Sequence, residues 1–65
     1  MPLSEQKKPI VARTAKRQKG SGSGRVRMAE FLRMCGFRGN HQNVKAYLEE
    51  LGLFDDVIAA PDEYL

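Results

Sequence analysis

The chain has 65 residues, of which 29% are charged and 42% hydrophobic, with a formal net charge of +3 and no Trp. That length admits one small domain at most, and no apolar run approaches the roughly 18 residues a membrane-crossing helix requires. The single cysteine, Cys35, excludes an internal disulfide framework and suits a reducing compartment; with no apolar stretch of a secretory signal at the N-terminus, the expected location is the cytoplasm.

Residues 1–19, MPLSEQKKPIVARTAKRQK, hold few large apolar side chains, and Pro2 and Pro9 interrupt them. Such a segment is expected to be a disordered basic arm, because it cannot bury enough surface to offset the entropy of ordering it. Its Ala, Lys, Arg and Gln tolerate helix, so ARTAKRQK is expected to coil only against a surface. Residues 20–24, GSGSG, have the composition of a flexible hinge, natural or engineered, that lets the arm move independently of the remainder. Residues 25–65 then form a helical minidomain with a core worth only a few kcal/mol.

Within that minidomain, Met28, Phe31, Leu32 and Cys35 fall at i, i+3, i+4 and i+7, the stripe of a helix over about 26–35. Val44, Tyr47, Leu48 and Leu51 repeat the spacing and predict a second helix over about 41–51. Each ends alike: Phe31-Leu32-Arg33-Met34-Cys35-Gly36-Phe37 aligns with Tyr47-Leu48-Glu49-Glu50-Leu51-Gly52-Leu53 at an offset of 16 residues. A glycine followed by an apolar residue predicts a Schellman ending, which pairs Phe37 with Leu32 and Leu53 with Leu48. Asn40 is the expected N-cap of the second helix, and Asp55 that of a short turn running to Ala60 before Pro61. The fold class is thus all-α: two to three helices, with a helix-turn-helix-like hairpin.

Charge divides along the chain. Residues 1–24 carry six cations against Glu5, a net of +5, while residues 25–65 net −2. Arg13, Lys16, Arg17 and Lys19 form the densest cluster and are candidate contacts to phosphates or an acidic partner. Arg25, Arg27 and Arg38 extend that surface onto the minidomain, where Arg33 is also cationic. Toward the C-terminus, Phe54, Asp55, Asp56 and Tyr64 mix acid with apolar side chains and are candidate contacts to a protein. The hairpin departs from the strict DNA-binding motif, since aligning Gly36 with the usual turn glycine puts Gln42 and Lys45 at positions that should be buried.

No catalytic, metal or cofactor site is expected. One Cys and one His, His41, cannot close a zinc site. The serines at 4, 21 and 23 lack a rigidly held base, and GSGSG follows no strand, so it is not a phosphate loop.

The layout, with a basic stretch from Arg13 to Lys19, a hinge from Gly20 to Gly24 and a small helical body, resembles that of phage-encoded transcription regulators acting on RNA polymerase or its transcript. The resemblance implies a non-catalytic regulator of a nucleic-acid machine or nucleoprotein complex, whose body contacts protein and whose arm contacts nucleic acid or an acidic surface. The alternatives are a protein-interaction module with an incidental or fused basic peptide, and a sequence-specific DNA-binding repressor. None of these readings requires a small-molecule substrate or a membrane.

Overall fold

In a computed structural model that describes residues 3–59, the chain forms four helices: α1 (Lys7–Gly20), α2 (Met28–Cys35), α3 (His41–Glu50) and α4 (Phe54–Val57). The all-α class holds, but the first segment is a helix rather than an unstructured arm. Ser4 starts it, its carbonyl accepting from the amides of Lys7 and Lys8 at 3.0 and 3.1 Å. Pro9 lies in the first turn, where the fixed φ of proline suits a helix and its missing amide costs at most one bond, so the helix runs through it.

The inner face of α1 carries Val11, Thr14, Ala15 and Gln18 at i, i+3, i+4 and i+7, all buried. Val11 and Ala15 join Leu3, Met28, Phe31, Leu32, Val44, Leu48, Phe54, Val57 and Ile58 in one core. The Cα radius of gyration is 10.5 Å, near the roughly 10–11 Å of a globule of this size.

The glycine-rich segment is likewise held in place. The Gln18 amide donates to the Gly24 carbonyl at 2.6 Å and to Ser23 Oγ at 3.0 Å, and Ser21 Oγ donates to the Gln18 carbonyl at 2.8 Å. A polar side chain at the end of α1 therefore fixes the loop that composition alone assigns to a hinge.

Both Schellman endings are present. Gly36 and Gly52 adopt φ of 83° and 73°. The Phe37 amide reaches the Leu32 carbonyl at 3.0 Å, and the Leu53 amide reaches Leu48 at 2.9 Å. Glycine reaches this left-handed region without a Cβ clash.

Several local expectations are corrected. Helix α2 begins at Met28 rather than near 26, because Val26 is extended in a parallel bridge to Ile58, closed by Val26 N–H to the Val57 carbonyl and Ala59 N–H to the Val26 carbonyl, both 2.8 Å. That bridge also stops α4 at Val57 rather than Ala60, and Leu53, not Asp55, occupies its N-cap. Asn40 stands at the N-cap of α3 but at φ 64°, with its side-chain amide donating to the Arg38 carbonyl at 3.0 Å instead of accepting from the helix. Leu51, expected in the core, is 37% exposed at the end of α3, and Cys35 is only half-buried.

Candidate nucleic-acid interface

The helical form of residues 7–20 decides where the basic cluster points. With Val11 and Ala15 facing the core, a 3.6-residue period sends Arg13, Lys16 and Arg17 to the opposite side, and all three are exposed. Helix α1 contains six cations and no acid. Two of the cations, Arg17 and Lys19, sit in its last turn, where positive charge complements the helix dipole.

The fourth member of the predicted cluster stands apart. Lys19 Nζ lies 3.2 Å from Asp56 Oδ2, an ion pair between α1 and α4 with both side chains about half exposed. At the other end of α1, Lys7 Nζ sits 5.1 Å from the Phe37 ring centroid and Lys8 Nζ 5.7 Å from that of Tyr47. These two contacts spread cationic side chains over the half-buried aromatics that end α2 and line α3.

The remaining predicted cations fall in two places. Arg25 and Arg27 are exposed on the segment joining α1 to α2. Arg38 is exposed on the α2–α3 connector, where with Arg33, Ala29, Gly36 and Phe37 it lines an open groove of about 400 Å³. The sequence displays Arg33 as a cation and Phe37 as a capping residue. What it does not display is that the Schellman turn sets both beside Arg38.

The acidic end fares differently. Phe54, expected to be offered to a protein partner, is 6% exposed and belongs to the core. Helix α4 begins at this residue and turns its ring inward, where Lys45 Nζ covers it at 5.7 Å. Asp55 and Asp56 remain exposed beside it. Tyr64 lies outside the described residues.

Burial pushes the Cys35 thiol above its ordinary value of 9.0, an effect partly offset by a hydrogen bond with Thr14 of α1. The thiol is therefore a poor nucleophile at neutral pH. Among the described residues, no group of three His, Cys, Asp or Glu side chains is placed to hold a metal ion, and no helix is long and apolar enough to cross a membrane.

No protein-family model, curated protein or solved structure matches this chain.

Proposed function

We propose that the chain is a non-catalytic regulator that binds nucleic acid, or a nucleoprotein complex such as RNA polymerase, through the outer face of α1, and modulates transcription by occupancy. The observation that carries this reading is the alignment of Arg13, Lys16 and Arg17 on the solvent side of a helix that contains no acid. Cations held on one face neutralise successive phosphates and release their counterions. The exposed arginines at 25, 33 and 38 add positive charge beyond the helix.

The test is a salt titration of binding to labelled duplex DNA, single-stranded DNA and RNA. Replacing Arg13, Lys16 and Arg17 together by Gln should weaken binding and flatten its log–log salt slope by roughly 0.7–0.9 for each phosphate left without its cation. An unchanged slope in that variant refutes the assignment of α1. The protein-interaction reading draws its support from the end of α3, where exposed Leu51 follows Glu49 and Glu50. Replacing Leu51 by Ser should leave nucleic-acid binding intact and weaken only a protein partner.

A further inference from the structure

The groove at the end of α2 has a composition unlike that of the α1 face. It is concave, its lining includes the half-buried ring of Phe37, and Arg33 and Arg38 stand on it, both exposed. A third cation reaches the same ring from α1, with Lys7 Nζ 5.1 Å from its centroid. The outer face of α1, by contrast, offers charge and no aromatic side chain. A duplex keeps its bases stacked inside and presents only phosphates and groove edges, so it can use the α1 face but not an aromatic ring. An unpaired nucleotide can use both, because every base has a face that stacks on an aromatic side chain while its phosphates meet nearby cations.

We propose that this groove takes an unpaired nucleotide of a single-stranded nucleic acid, with the base stacked on Phe37 and the flanking phosphates on Arg33 and Arg38. The inference rests on the nucleic-acid reading of α1 and adds strand specificity to it. The volume of about 400 Å³ accommodates one nucleotide rather than a run of them. Lys7 does not line the groove, but its ammonium, 5.1 Å from the ring centroid, adds positive charge beside the stacked nucleotide. Charge complementarity selects a polyanion over an acidic-poor peptide, and the ring selects unpaired bases over a duplex.

The test uses the full chain and three fluorescein-labelled probes: an oligothymidine of about 12 nucleotides, an abasic strand of the same length and charge, and a duplex of that length. Phe37→Leu is the informative variant. Leucine already fills the equivalent position after the second Schellman glycine, at Leu53, where it makes the same backbone bond and also packs against the core, so the turn should survive, and a melting curve checks that it does. The expected result is tighter binding of oligothymidine than of the abasic strand by about five-fold or more. Phe37→Leu should erase that difference without altering duplex affinity. Arg33→Gln with Arg38→Gln should lower the salt slope for the single strand. Equal affinity for the oligothymidine and abasic strands, or a Phe37→Leu variant that keeps their difference, overturns the groove while leaving α1 as a phosphate-binding face. Failure of the parent chain to bind any of the three probes overturns both.

Discussion

Gly36 allows the backbone cost of a helix ending to be measured free of side-chain clashes. A Cβ built at this position meets no atom within 4 Å, and φ is 83°. Gly36→Ala therefore introduces no steric overlap with the rest of the molecule, only the left-handed penalty of an L-residue, roughly 1–2 kcal/mol. Reduced freedom of the unfolded chain returns roughly 0.4–1 kcal/mol, leaving a net loss of about 1 kcal/mol. In a domain of this size that lowers Tm by roughly 4–8 °C. Gly20 supplies the control: its Cβ would also meet nothing within 4 Å, but it ends α1 without a positive φ. Gly20→Ala should accordingly raise Tm by a few degrees, with a gain of roughly 0.5–1 kcal/mol. Gly36→Asn should cost less than Gly36→Ala, since Asn tolerates the left-handed region. Thermal melts followed by circular dichroism at 222 nm (a wavelength set by helix content) decide the matter. A Gly36→Ala protein that melts at or above the parent, or a Gly20→Ala protein that melts below it, refutes the assignment of these two backbone conformations.

Two further outcomes follow from α1 and its packing on α2. Val11 is fully buried, so Val11→Ala should cost about 2 kcal/mol and reduce amide-exchange protection through residues 10–18; a free arm would show no change. Because burial raises the Cys35 thiol pKa, the folded state holds its proton more tightly than the unfolded chain does. Stability from this group is complete below the ordinary thiol value of 9.0, and it is lost as pH rises through that value toward the folded one. Denaturant midpoints measured from pH 7 to 10 should fall more steeply for the parent than for Cys35→Ala.

How much of this was legible in the sequence varies by element. Helices α2 and α3 announce themselves through large apolar residues at helical spacing, and Gly36-Phe37 and Gly52-Leu53 mark their ends because only glycine suits that backbone. Helix α1 has the same spacing but fills it with Val11, Thr14, Ala15 and Gln18, two small apolar side chains and two polar ones. A hydrophobicity pattern cannot register such a stripe. The packing that holds it comes from the opposite helices, and its polar half is satisfied by contacts such as Gln18 to Gly24, which exist only once the following loop folds back on the helix end. The same gap concealed the candidate site: Arg13, Lys16 and Arg17 are a visible cluster, but their common face exists only once the segment is helical. Phe54 misled for the converse reason. Its acidic neighbours Asp55 and Asp56 suggested an exposed patch, whereas a single turn of helix points the ring one way and the carboxylates another.

The ordered state of residues 7–20 also changes what binding would cost and what it could transmit. A flexible basic segment that folds on its target gives up about 2–5 kcal/mol in ordering, and it acts as a tether that leaves two bound partners free to reorient. Helix α1 has already met that entropic demand by burying Val11 and Ala15 in the core and by its ion pair between Lys19 and Asp56. Nucleic acid held on its outer face and any partner held near Asp55 would be gripped by one rigid body, at a fixed angle to each other. A change in the orientation of one would be passed to the other as torque, which a leash of glycine and serine would have absorbed.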